Sequence, residues 1–161
     1  MAIQVKNNFV KEDIVDEKGN KLGEIKFNPN DSRIMSKLTK IVNDLSKSLK
    51  ELDKIKKDKD FSKKMEILSK EKLEDIEEFE SASEVLEQLN HGYDIELETV
   101  TRTIEDLSEV FGKETVEIFT GGTKDIMSVM PLVDYVIPYV KKARNEKVNK
   151  YIPKTNSDVM E

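Results

Sequence analysis

Few side chains in this sequence offer chemistry. The 161 residues hold one histidine, His91, and no cysteine, which excludes thiolate nucleophiles, Cys-ligated zinc or iron–sulfur centres and multi-histidine metal sites. A Ser–His arrangement would have to use His91, which stands beside Gly92 in an expected loop with no nucleophile signature around it. A surface histidine is the simpler reading. Adjacent carboxylates such as Glu77-Glu78 and Glu105-Asp106 fall on the polar faces of helical patterns, whereas a general acid needs a pocket that raises its pKa. They read as solvating groups. Thr120-Gly121-Gly122-Thr123-Lys124 lacks the glycine spacing and the Gly-Lys pair of a phosphate loop, and Asp16 to Asn20 lacks the oxygen-ligand pattern of a calcium loop. No catalytic, cofactor-binding or metal-ligating residue is assigned. The chain is expected to be no enzyme and to need no cofactor.

The elements themselves carry more information. Val10, Ile14 and Val15 precede Glu17-Lys18-Gly19-Asn20, and Leu22, Ile25 and Phe27 follow, so residues 10–27 predict a hairpin with Gly19-Asn20 supplying the positive φ of its turn. Ile3 and Val5 suggest a further short strand. Two or three strands of this length need a helix to cover one face. Pro29 ends the strand, and Asn30, Asp31 and Ser32 all suit a helix N-cap. The stripe Ile34, Leu38, Ile41, Leu45, Leu49, Leu52 and Ile55 then predicts a helix of about 26 residues and roughly 39 Å. So narrow a stripe resembles a coiled-coil seam that another rod must cover, be it the chain's own second helix, another copy or a client, and Ile34, Leu38, Ile41, Leu45, Leu49 and Leu52 are assigned as contacts to a client or another copy.

Lys56 to Asp60 holds no apolar residue and predicts a bend. Phe61, Met65, Leu68, Leu73, Ile76 and Phe79 continue helically with a stutter between Leu68 and Leu73. Ser81 and Glu84 match a capping box that would restart the helix, and Asn90-His91-Gly92 is expected to break it. Leu97, Val100, Ile104, Leu107 and Phe111 form a clean stripe closed by Gly112. Val116, Ile118 and Phe119 predict a short apolar turn. The last helix gathers Ile126, Val129, Val133, Val136 and Val140, with Pro131 in its first turn if Ser128 is the cap and Pro138 expected to kink or interrupt it. Phe27, Phe111 and Phe119 are assigned to the core.

The fold class expected is mostly α with a small N-terminal β-hairpin, an elongated helical bundle. Residues 1–30 form the hairpin and 31–144 a helical domain with a charged, inserted-looking segment near 56–92. Residues 145–161 are expected to be a flexible tail. Charge divides along the chain: 31–60 carry nine basic and six acidic residues, 61–111 five basic and fifteen acidic. The acidic segment 61–111 argues against nucleic acid, which needs clustered Lys and Arg. It leaves a basic partner, self-association, or acidic 66–109 folding on basic 33–59. No stretch approaches the roughly 18 apolar residues of a membrane span, and the N-terminus lacks a signal-peptide layout. A cytoplasmic protein with no membrane partner is expected.

Lys21-Leu22-Gly23-Glu24-Ile25-Lys26-Phe27-Asn28-Pro29-Asn30-Asp31 before a long helix resembles the opening of the small tail assembly chaperones of long-tailed phages and prophages of Gram-positive bacteria. Val110-Phe111-Gly112-Lys113-Glu114-Thr115-Val116-Glu117-Ile118-Phe119 is similar to their second characteristic stretch. The match covers residues 14–31 and 95–142, and the charged middle, 56–92, is longer than the family pattern. The resemblance implies a non-enzymatic helical protein of the bacterial host cytoplasm. Such a protein binds the phage tape measure protein, keeps it soluble during tail assembly, forms homo-oligomers and is absent from the mature virion. The competing readings are a structural tail or head–tail component, a generic helical adaptor, a carboxylate-based hydrolase or nuclease, and a DNA-binding regulator.

Overall fold

The computed structural model describes residues 1–5, 8–70 and 72–151. The chain is mostly α-helical with a two-stranded N-terminal hairpin: β1 (Val10–Val15), β2 (Lys21–Phe27), α1 (Ser32–Lys57), α2 (Lys59–Leu68), α3 (Ile76–Phe111), α4 (Lys113–Thr120) and α5 (Ile126–Tyr151). The strands pair antiparallel from Val10 opposite Phe27 to Ile14 opposite Gly23, with an irregularity before Val15. Their turn is held by Asp16, whose Oδ1 accepts the Lys18 and Asn20 backbone N–H groups, each at 2.9 Å. Those bonds, the Asn20 backbone one first, hold the Asp16 carboxyl below its ordinary pKa. Gly19 alone supplies the positive φ, +83°; the expectation for Asn20 does not hold. Ile3 and Val5 are exposed and form no strand.

Alternation along β2 turns Gly23, Ile25 and Phe27 inward, and Ile25 and Phe27 are buried while Leu22 points to solvent. Gly23 is needed because α4 lies against it: a Cβ there would fall 2.5 Å from Ile118 Cδ1. Phe27 meets Phe111 edge-on at 5.5 Å and Tyr139 at 5.7 Å between ring centroids, the geometry aromatic quadrupoles favour. Tyr139 donates to Glu12 Oε1 at 3.0 Å and ties α5 to β1. Burial raises the pKa of the neighbouring Tyr135 hydroxyl far above its usual value.

Asp31 caps α1 by accepting the Arg33 N–H at 3.0 Å. α1 runs antiparallel to α3, since Lys37 meets Asp106 while Leu52 meets Gly92. The chain then bends at Asp58, which closes α1 and caps α2. α2 turns back on α3, and the reversal between Leu68 and Ile76 explains the stutter in the apolar pattern. Lys64–Glu84 and Lys70–Glu78 pair across this reversal. Basic α1 and α2 thus do fold on acidic α3.

Several sequence expectations are corrected here. α3 neither restarts at Ser81 nor breaks at Asn90-His91-Gly92, but runs unbroken for 36 residues from its Asp75 cap, whose side chain accepts the Glu78 N–H at 2.8 Å. Gly92 is buried within it and faces Leu52 and Ile55, so it marks a close helix approach rather than an end. Val116, Ile118 and Phe119 lie on a true helix, α4, closed by Gly121 in the left-handed region. Asp125, not Ser128, caps α5 by accepting the Ser128 N–H at 2.9 Å, which puts Pro131 in the second turn. Pro138 does not interrupt α5. Residues 145–151, expected in the tail, are helical, and Lys147 donates to the Asn30 carbonyl at 2.6 Å. Residues 152–161 of that tail lie outside the described residues.

Candidate functional site

The six residues assigned as partner contacts divide. Ile34, Leu38, Ile41 and Leu45 are buried in the core with Val100, Leu107, Val133 and Val136, so α3 and α5 of the same chain already cover that seam. The physical reason is register: the inward face continues through Ser48 and Leu52, keeping the three-four spacing, and leaves Leu49 half exposed. Four of the six are therefore unavailable to a partner in this fold, Leu52 is partly buried against the core, and Leu49 faces solvent.

The groups considered for chemistry have structural duties. Asp106 is buried, with Lys37 Nζ 3.0 Å from Oδ1 and Lys40 Nζ 3.0 Å from Oδ2. Burial alone would raise its pKa, but the hydrogen bonds from Lys37 and Lys40 outweigh it and hold the carboxyl below its ordinary value. Glu78 pairs with Lys70. His91 is exposed on α3. In the Thr120–Lys124 loop the Gly122 N–H goes to Thr120 Oγ1 at 3.3 Å and the Thr123 N–H to the Thr120 carbonyl at 3.1 Å, so these donors close α4 instead of forming a cradle. Among the described residues no group of three or more His, Cys, Asp or Glu side chains could hold a metal ion, and no helix is long and apolar enough to cross a membrane.

One large apolar feature is left over. Along α3, Ile76 (76% exposed), Phe79 (59%), Leu86 (56%), Tyr93 (66%) and Leu97 (47%) all face solvent. Phe79, Leu86 and Tyr93 are seven residues apart, and 76, 83, 90 and 97 form the second heptad column with Ser83 and Asn90 at its centre. At 3.6 residues per turn these positions share one side of the helix. The buried face, Ala82, Val85 and Gly92, is a separate stripe directed at α1 and α2. Beyond Leu97 the same side of α3 continues into a groove of about 720 Å³ between α3 and α4, lined by Thr101, Ile104, Ser108, Lys113, Val116 and Thr120.

The α3 face escapes the sequence reading because the expected restart at Ser81 and the expected break at Asn90-His91-Gly92 divide its residues among three segments. The adjacent apolar pair Val85-Leu86 is the available signal, since neighbours on a helix point about 100° apart, and here Val85 is buried while Leu86 is 56% exposed. Compared with protein-family models, curated proteins and solved structures, the chain matches none.

Proposed function

We propose that this chain is a non-enzymatic tail assembly chaperone of a long-tailed phage or prophage, which binds amphipathic helices of the tape measure protein and keeps that client soluble in the host cytoplasm until the tail is built. The observation that carries this reading is the solvent-facing apolar stripe of α3 on a molecule whose other long stripes are buried. Isolated exposed apolar side chains are ordinary, but a continuous row marks an interaction surface.

Further support comes from the two stretches that carry the family resemblance. Residues 21–31 and 110–119 are some 80 positions apart in sequence, yet Gly23 abuts Ile118, Phe27 abuts Phe111, and Thr115 Oγ1 donates to the Glu24 carbonyl at 3.4 Å. They form one packed unit, as a shared architecture requires. A helix laid along α3 would bury its own stripe by helix-in-groove contact, and such binding is reversible without a nucleotide.

The test is co-expression with the client that this proposal names, the tape measure protein of the phage or prophage that encodes the chain. The client is expected in the soluble fraction only when this chain is present, and this chain is expected to be absent from purified particles. Equal client solubility with and without it would overturn the reading, and its presence in particles would favour a structural tail component.

A further inference from the structure

We propose that the exposed face of α3 is a docking site for a basic amphipathic helix, one with apolar residues at heptad spacing and Lys or Arg along its flank. This names the site and the client chemistry of the function proposed above and rests on that reading for its helical client. Charge complementarity selects the occupant. Between Leu73 and Thr101 the sequence has ten Asp and Glu and no Lys or Arg. Glu80, Glu87 and Asp94 recur every seven residues along one edge of the apolar stripe, are exposed, and make no ion pair among the described residues. A helix seated on Phe79, Leu86 and Tyr93 would lay its flank against these three carboxylates, and opposite charges there set partner choice as they do beside a coiled-coil seam.

A second copy fits less well. The apolar stripes of α1 and α5 are buried in the core, and outside α3 the exposed large apolar side chains of the described helices stand singly or in pairs, such as Val42 and Leu49 on α1 and Val148 and Tyr151 at the basic end of α5. The longest exposed apolar stripe that another copy offers is α3 itself. Asn90 in the stripe would tolerate such a pairing, but two α3 faces would bring acidic edge against acidic surroundings with no Lys or Arg between 73 and 101 to answer them, and like charges across an interface oppose association.

The probes are two synthetic helical peptides of about 28 residues, four heptads, with identical Leu seams and either Lys or Glu flanks, titrated against the full chain by fluorescence anisotropy. The Lys-flanked peptide is expected to bind at least tenfold tighter, a preference that shrinks as salt rises and screening sets in. Phe79→Ser with Leu86→Ser is expected to lose about tenfold in affinity or more. Glu80→Lys with Glu87→Lys and Asp94→Lys is expected to transfer the preference to the Glu-flanked peptide. All five positions are exposed, and circular dichroism checks that the variants fold. Equal binding of both peptides, or unchanged binding by the Phe79/Leu86 variant, overturns the proposal. So does sedimentation as a dimer that this variant dissolves, which would make another copy the occupant. If the client is solubilised equally by wild type and the Phe79/Leu86 variant, the chaperone reading stands and the α3 site falls. If the peptides behave as expected while the client gains no solubility, the site stands and the chaperone reading falls.

Discussion

Asp106 shows how a side chain that reads as a solvating group in sequence can be buried in the fold. Beside Glu105 it reads as half of a carboxylate pair, yet α3 turns it into the interface with α1, where Lys37 and Lys40 both reach it. Sequence could supply the residue but not the partner, because the two lysines lie 69 and 66 positions away. Its folded pKa is held low, so the ionised form is preferred by the native state. The stabilisation is therefore complete above the unfolded value of about 3.9 and is lost as pH falls through the lower folded value. Asp106→Asn is expected to cost about 1.5–3 kcal/mol at neutral pH, the range for a hydrogen bond to a charged group. Urea unfolding of both proteins should show that gap at pH 7 and a gap that shrinks steadily as pH falls below the unfolded value of about 3.9. A gap that persists unchanged in acid would mean that packing, not charge, accounts for the loss.

At the scale of elements, the legible parts were those whose signals are local. The hairpin turn, the Pro29 stop, the Asp31 cap, the bend near Asp58 and the Gly112 terminus each follow from residues within a few positions of the feature. The misread parts depend on what packs nearby. Asn90-His91-Gly92 has the composition of a helix end, but Leu52 and Ile55 lie against Gly92 and the backbone continues through it. In α5, Pro138 lies among residues whose burial holds the helix together on both sides, Val136 and Val140. Tertiary contacts override local preference in both places. The continuity of α3 can be tested directly at Asn90, which is exposed. Asn90→Ala should leave stability nearly unchanged, whereas Asn90→Pro should cost about 3 kcal/mol and reduce the helical signal, because proline removes an interior hydrogen bond and clashes with the preceding turn. If the helix ended at 90–92, proline would be tolerated there in thermal unfolding.

The whole molecule has an uneven core. α3, at 36 residues and roughly 54 Å, is longer than either helix beside it, and α5 begins opposite Glu96, whose carboxylate accepts the Ile126 N–H at 3.0 Å. Residues 76–92 of α3 thus have α2 and the end of α1 for cover, and the buried apolar side chains there are few: Phe61, Ala82 and Val85. The hairpin end, by contrast, gathers Ile25, Phe27, Ile34, Phe111, Val136 and Val140. Local stability follows buried apolar contact, so the α2–α3 arm should open at lower free energy than the body. That would place the proposed docking face on the more yielding part of the molecule, where it could adjust to a partner stripe of imperfect spacing. Val85 is completely buried, and Val85→Ala removes two methyl groups at a cost of about 1–3 kcal/mol. Amide hydrogen exchange should then accelerate across residues 59–90, by about tenfold for each 1.4 kcal/mol lost, while amides at 100–107 and 129–140 keep their wild-type rates. The Lys-flanked peptide should restore protection to the arm by mass action on its closed form. A uniform acceleration over all helices would show instead that arm and body unfold as one cooperative unit, and that the client meets a rigid surface.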